Sequence, residues 1–171
     1  GRVDGGEQMG VAGAVGRGAR AGAGIGAPPG WPEWTGFGSR EMAGSPAEGE
    51  AYVTYQIGAL SAFCAGRGVR LARVKPHGAL YNMAARDEAL ARAIAEAVPR
   101  VDGGLILLGL SGSALLRAGA GAGLPTASEV FADRAFLADG YLAPRNLPGA
   151  VLHDPRAPAQ RVARMLADPR G

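Results

Sequence analysis

Three residues that can bind or transfer charge lie within eight positions of one another in this sequence. Lys75 is the only lysine, His77 is one of two histidines and Asn82 is one of two asparagines among the 171 residues. An ammonium can neutralise a phosphate or an oxyanion, an imidazole can transfer a proton, and an amide can position a polar substrate. From the spacing alone, an ordinary turn with a solvated lysine is an equally good interpretation.

A short buried strand is predicted directly before these residues. Val69, Leu71 and Val74 form an apolar run with β-branched character. Pro76 has no N–H to donate to a sheet and Gly78 frees the backbone, so we expect the strand to stop there. Functional groups of α/β proteins collect at the carboxyl ends of strands, so the three polar residues are expected at the mouth of a sheet or barrel.

A second group of charged residues follows another predicted strand, over residues 126–131. Alternation along this strand puts Glu129 on the same face as Phe131 and Asp133. An inward carboxylate is costly unless it is paired, and such groups are often functional. The alternative is a surface charge pair between Asp133 and Arg134 in a loop.

The remaining patterns alternate between helix and strand. Ser45 and Glu48 form a capping box that predicts the start of a helix. An apolar stripe along this helix reaches Cys64, which we expect to be a small core residue. Gly66 and Gly68 predict the end of the helix. The other predicted strands are at 23–27 and at 105–109, the latter buried on both faces. The other predicted helices are a marginal one near residues 9–15, one from Asp87 to Pro99, one at 111–120 and a last one with Val162, Met165 and Leu166. His153 and Asp154 are expected at the solvated surface. This order predicts an α/β fold of βαβ units with a mainly parallel sheet, in one domain over residues 1–171.

Composition excludes several classes of protein. Glycine is abundant, at 29 residues, but has no Gly-X-Y period, which excludes collagen. A net charge of +3 and scattered arginines argue against nucleic acid binding. A single cysteine excludes an internal disulfide framework, and no long apolar run or signal pattern predicts a membrane association, so a cytoplasmic location is expected.

The stretch 74–82, Val-Lys-Pro-His-Gly-Ala-Leu-Tyr-Asn, resembles the signature of the LamB/YcsF family, the A subunit of bacterial ATP-dependent 5-oxoprolinase. Residues 55–60, 129–134 and 140–145 are also similar to family motifs. The resemblance implies an incomplete irregular (β/α) barrel of the polysaccharide-deacetylase type. It also implies ring opening of 5-oxoproline to glutamate, coupled to hydrolysis of ATP, in a complex with the B and C subunits.

Residue chemistry suggests roles for this implied reaction. Lys75 would neutralise phosphate or oxyanion charge, Asp133 or Glu129 would act as base, and His77 would shuttle a proton. The catalytic residues expected are therefore Lys75, His77, Glu129 and Asp133. The substrate-binding residues expected are Arg40, Asn82, Arg134 and Arg145.

The chain also departs from the family pattern. Pro28 stands where the family has histidine, and Glu33 stands where it has aspartate. The family's upstream Asp-Leu-Asn-x-Asp and Gly-His-x-Gly-Asp motifs and its downstream Cys-x-His-Gly-Asp motif have no counterpart here, and Arg2 takes the place of one further histidine.

These departures lead to two expectations and two alternative functions. We expect no metal site, because an Asp-His-His set cannot be assembled, and little activity from the chain alone, because it resembles a fragment without the terminal motifs. One alternative is a non-catalytic or truncated homologue that keeps the fold and a partner surface. The other, less favoured because it needs metal ligands, is a deacetylase-like amide hydrolase.

Overall fold

The computed structural model describes residues 7–33, 35–36, 38–152, 158 and 160–163. The chain divides into two compact units, Gly1–Ser128 and Glu129–Gly171, and each is described by itself. The single domain over residues 1–171 stays a prediction. Several positions discussed above lie outside the described residues, namely Arg2, His153, Asp154, Met165 and Leu166.

A parallel sheet with helical connections carries the first unit. Its strands follow one another in the order β1-β2-β3-β4, and the β1–β2 and β2–β3 pairs are parallel. The predicted α/β class with a mainly parallel sheet is therefore confirmed. The elements are α1 (Glu7–Arg20), β1 (Ile25–Ala27), α2 (Pro46–Ala65), β2 (Leu71–Val74), α3 (Gly78–Arg86), α4 (Glu88–Asp102), β3 (Ile106–Leu110), α5 (Ala114–Gly121) and β4 (Thr126–Glu129).

Helix α2 begins and ends where local sequence signals place it. The Ser45 side chain accepts from the N–H of Glu48, and the Glu48 carboxylate accepts from the N–H of Ser45 at 2.8 Å, which confirms the capping box. The helix ends at Ala65, and Gly68 adopts a φ of +67° in the turn that follows. Cys64 is buried on the apolar stripe, as predicted, and α2 packs against α4.

Helix α4 runs past the proline that was predicted to end it. Asp87 caps it by accepting from two backbone N–H groups, as expected, but Pro99 lies inside the helix and the last turn continues to Asp102. An interior proline removes one intrahelical hydrogen bond and crowds the carbonyl four residues before it, which together cost about 3 kcal/mol. The turn is retained because Val101 packs against the core and the Asp102 carboxylate accepts from Gly104 and Arg70.

Two strands also differ from their predictions. Strand β3 is not buried on both faces, because Ile106 is 39% exposed and Leu108 is half-buried while Leu107 is fully buried. One face of this strand packs against helices α3 and α5, and the alternate side chains face away. Strand β4 ends at Glu129, two residues before Phe131.

The second unit is a small antiparallel arrangement. Arg134 bridges to Val151 and Phe136 bridges to Leu142, with a turn at Gly140 between the latter two. Residues 160–163 are helical, as the predicted last helix requires, and the Arg161 guanidinium lies 5.9 Å from the centroid of the Phe136 ring.

Candidate functional site

The carboxyl end of β2 presents Lys75. The register pairs Ala27 of β1 with Val74 of β2, and the N–H of Lys75 donates to the carbonyl of Ala27 at 2.9 Å. Pro28 and Lys75 therefore directly follow paired positions on adjacent parallel strands. Lys75 is half-buried, whereas Pro28 is exposed.

The chain turns directly from β2 into α3, a helix that sequence analysis missed. His77 occupies the N-cap position with extended backbone, makes no capping hydrogen bond through its side chain, and is exposed. Its N–H donates to the carbonyl of Pro29 at 2.8 Å. The helical spacing of the buried residues Ala79, Leu80 and Ala84 is the signal that could have revealed this helix.

Two glycines allow the loop after β1 to pack on the start of α3. The N–H of Ala79 donates to the carbonyl oxygen of Gly38 at 2.8 Å. Gly78 has a φ of +60°, and a Cβ atom there would lie 2.3 Å from that same oxygen. Gly38 itself has a φ of +73°. The close approach requires glycine at position 78, because any side chain would push the loop away.

Trp31 anchors this loop in the core. Its side chain is 1% exposed, its Nε1 donates to Sδ of Met83 at 3.3 Å, and its ring meets the Tyr52 ring edge-on at 6.0 Å. The Gln56 amide holds Gly30 through both the N–H and the carbonyl of that residue. Trp31 therefore plugs the core, and the contacts fix where the rest of the loop lies.

Glu33 and Arg40 lie on the same side of Gly36 in this loop. The Glu33 carboxylate accepts from the N–H of Gly36 at 2.6 Å, and a Cβ atom on Gly36 would lie 2.5 Å from Glu33 Oε2 and 3.3 Å from Arg40 Nε. Arg40 is exposed. Backbone hydrogen bonds join this loop, which carries Arg40, to the turn and the first residues of α3 that follow Lys75 and include His77. These three predicted residues therefore lie on segments of the first unit that are bonded to one another.

Two residues of α3 face different surroundings. Asn82, predicted to bind substrate, is exposed, whereas its neighbour Tyr81 is 5% exposed. The Lys75 Nζ lies over the Tyr81 ring, 5.8 Å from its centroid. Sequence analysis did not single out Tyr81, although it lies in the same motif at 74–82 as Lys75.

The second unit contains the other predicted residues. Asp133 and Arg145 are exposed, and Glu129 at the end of β4 is half-buried. The catalytic roles expected for Glu129 and Asp133 stay predictions.

Arg134 is buried in the second unit, and its side chain donates hydrogen bonds to backbone carbonyls of that unit. The residue is 5% exposed, its Nη2 donates to the carbonyl of Ala143 at 2.6 Å, and its Nε donates to that of Ala150 at 3.3 Å. Its own carbonyl accepts from the Arg161 guanidinium. Burial lowers the pKa of Arg134, the charge of Arg145 lowers it further, and the Asp133 carboxylate partly opposes both. The substrate-binding role of Arg134 stays a prediction, but these contacts already engage two of its donors.

A cavity of about 330 Å³ lies elsewhere in the first unit, between α1, β1 and α2. Its walls are mainly apolar, and the polar side chain among them, Gln56, is bonded to Gly30. None of the eight predicted site residues lines it. We therefore place the candidate site at the end of β2, where the ionisable side chains of Lys75 and His77 lie.

Neither a metal-binding cluster nor a membrane-spanning helix is found in the part of the chain that the structure describes. Within those ranges, no three His, Cys, Asp or Glu side chains are grouped so that they could hold a metal ion. The absence of a metal stays a prediction. No helix among the described residues is long and apolar enough to span a membrane.

Comparison with known proteins identifies the sequence signature. The model of the LamB/YcsF family matches residues 3–170. The chain is 58% identical over 149 residues to the A subunit of 5-oxoprolinase from Geobacillus kaustophilus, and 51% identical over 150 residues to that from Bacillus subtilis. These alignments cover 87% and 88% of the chain but 58% of each relative, so the chain spans less than two thirds of their length.

A solved structure is also similar. The crystal structure of a lactam utilization protein from Thermus thermophilus superposes with a TM-score of 0.85 at 47% sequence identity. The match covers 94% of this chain and 65% of that one.

Proposed function

The chain belongs to the LamB/YcsF family, and from this premise we propose that it takes part in the ATP-dependent opening of 5-oxoproline to L-glutamate. The observation that carries the proposal is the family motif at 74–82, whose Lys75 and His77 lie together at the carboxyl end of a parallel strand. Relatives that are 58% and 51% identical to it over 149 and 150 aligned residues are named as the A subunit of 5-oxoprolinase. The B and C subunits are the proposed partners, and the cytoplasm is the proposed location.

The chemical difficulty is that a lactam is a poor electrophile. Transfer of a phosphoryl group from ATP to the lactam oxygen makes the ring carbon more reactive, after which water adds, the C–N bond breaks and the nitrogen takes up a proton. Two waters are consumed in total, one in opening the ring and one in releasing the phosphoryl group. The products are glutamate, ADP and phosphate.

The residues at the end of β2 suit two parts of this reaction. We assign to Lys75 the neutralisation of charge on a phosphoryl or lactam oxygen, because it supplies an ammonium at the strand end. His77, whose side chain is exposed at the N-terminus of α3, is assigned the proton transfer. Asn82 and Arg40 are assigned substrate contacts from the same unit.

The second unit supplies the remaining assignments. Glu129 or Asp133 is the proposed base that activates water. Arg145 is exposed and is the better candidate for a substrate anion, since Arg134 donates to two backbone carbonyls. ATP is a substrate of the proposed reaction, and Lys75 is the residue of the first unit that we assign to its phosphates.

The test is a coupled assay with purified subunits. The chain is mixed with cognate B and C subunits, 5-oxoproline and ATP, and glutamate is measured, with omission of ATP as the control. We expect glutamate only when every component is present, and at a rate well below that of a full-length relative. Absence of glutamate from the complete mixture, with the complex assembled, would refute the proposal.

One observation favours the second candidate, a homologue that keeps the fold and a partner surface without catalysis. Pro28 directly follows the residue paired with Val74, so the position where the family has an imidazole adjoins Lys75. A proline side chain neither donates nor accepts a proton. For an enzyme impaired at this point, Pro28→His should raise the rate, by up to the roughly 10²–10⁴-fold that a positioned acid–base group contributes. An unchanged absence of glutamate, with the complex still assembling, would favour the non-catalytic candidate.

A further inference from the structure

The side chains of Lys75 and Tyr81 form a contact that the proposed reaction has not yet used. Lys75 Nζ lies 5.8 Å from the centroid of the Tyr81 ring. A cation within about 6 Å of an aromatic face is attracted by the negative potential of that face. Tyr81 is 5% exposed, so its ring is held by the core, whereas Lys75 is half-buried.

Backbone hydrogen bonds fix both ends of this contact. The N–H of Lys75 is bonded to Ala27 of the neighbouring strand, which holds its Cα at the end of the sheet. The first turn of α3 is held by the bond from His77 to Pro29 and by the bond from Ala79 to Gly38. The ring therefore has a set position relative to the strand end, and the ammonium is the more adjustable partner.

We propose that Tyr81 is a positioning residue, whose ring holds the Lys75 ammonium at the carboxyl end of β2 to meet an anionic oxygen of the substrate. The inference rests on the proposed function for the identity of that substrate. A lysine side chain has many rotamers, and fixing one of them at the moment of binding is entropically unfavourable. A contact that already restricts the side chain reduces that penalty and so favours binding of the anion.

The alternative is that Tyr81 only fills the core, with the ammonium nearby by chance. Packing and positioning differ in how they depend on Lys75. A packing defect affects activity whether or not a lysine is present, whereas a positioning residue acts only through the lysine that it holds. A double-mutant cycle between positions 75 and 81 separates the two.

Nuclear magnetic resonance tests the contact without any enzymatic readout. Because Lys75 is the only lysine of the chain, labelling with ¹³C-lysine gives the signals of this one side chain. Its Hε protons should resonate upfield because of the Tyr81 ring current. Y81F should retain that upfield shift and Y81L should lose it. Normal Hε shifts in the unaltered chain would overturn the proposal even if Y81L failed to fold.

The same signal identifies the anion. Inorganic phosphate and 5-oxoproline are titrated separately into the labelled chain, since the oxygen that Lys75 meets could be phosphoryl or lactam. Movement of the Lys75 signal with phosphate or with 5-oxoproline supports the proposal and names the source. No movement with either, at concentrations that saturate the assay, counts against it.

The kinetic arm uses the complex with the B and C subunits. We expect Y81L to lower kcat/KM roughly two- to fivefold relative to the unaltered chain, from the usual strength of cation–π contacts. Y81F keeps an aromatic ring, so its kcat/KM should stay close to that of the unaltered chain. In a K75M background, Y81L and Y81F should no longer differ. An equal effect of Y81L in both backgrounds would show packing alone. If K75M were fully active, the proposed function of Lys75 would be wrong. The Hε chemical shift of Lys75 would still decide whether the Tyr81 ring holds the ammonium.

Discussion

Lys75 and Arg134, the one expected to act in catalysis and the other in substrate binding, have different surroundings. Lys75 extends from a strand end of the first unit, half-buried, with its ammonium over an aromatic ring. Arg134 is buried in the second unit and donates to the carbonyls of Ala143 and Ala150. A planar guanidinium with five donors can join several backbone carbonyls, whereas an ammonium acts as a compact point charge. The contrast predicts that Lys75 serves binding or catalysis and that Arg134 mainly stabilises its own unit.

The largest effect expected is on activity after loss of the lysine. Lys75→Met should reduce kcat in the complex by roughly 10²–10³-fold, the usual consequence of removing one group that stabilises developing negative charge. The free energy of unfolding should change little. Arg92→Met is the matched control, because Arg92 is exposed on α4 and carries the same charge. Equal kcat values for K75M and R92M would remove Lys75 from the site.

The next effect is on stability. Arg134→Met removes two hydrogen bonds from a charged donor and leaves the carbonyl of Ala143 without that donor, whereas the carbonyl of Ala150 keeps the N–H of Ala135. The loss should lower the free energy of unfolding by about 2–4 kcal/mol. Arg145→Met should be neutral or slightly stabilising, because the charge of Arg145 disfavours the protonated form of Arg134. Urea unfolding and limited proteolysis of the second unit measure both. A stable R134M variant with a raised KM would instead assign Arg134 to the substrate.

A smaller effect is expected in the loop that packs on α3. Gly78→Ala combines a left-handed backbone with a Cβ atom 2.3 Å from the Gly38 carbonyl oxygen, and should lower the free energy of unfolding by about 2–3 kcal/mol. Gly112→Ala shares the positive φ but meets no atom within 4 Å, so it should show only the backbone strain, about 1 kcal/mol. The difference between the two variants measures the contact itself. Identical values would mean that the loop moves away freely.

The smallest effect concerns Cys64, a reactive group that burial keeps inert. Burial raises the pKa of this thiol, so the folded chain favours its neutral form. Its stabilising contribution is complete below the ordinary thiol pKa of about 8.5 and is lost as the pH rises through the higher pKa of the folded state. A thiol reagent should therefore react with the chain only after unfolding at neutral pH. Rapid reaction of the native chain would contradict the core position.

Local signals were sufficient for much of the first unit. The bonds of the Ser45 capping box join residues three positions apart, and the stop after Cys64 depends on glycines that closely follow it. Such interactions are set by neighbouring residue types, so the sequence predicts them. The same holds for the Lys75–His77 turn, because Pro76 and Gly78 exclude a continued strand. The family signature at 74–82 was equally readable, since it is a contiguous run of residues.

Tertiary structure decided the rest, because the decisive contacts join residues far apart in the chain. Helix α4 continues through Pro99 because Val101 reaches the core, which no local rule foresees. Ile106 is exposed because helices pack on one face of β3. The environment of Arg134 depends on carbonyls nine and sixteen residues away. Proximity of this kind arises only when the chain folds back on itself, so residue types identify the candidate groups, and packing decides which of them can meet a ligand.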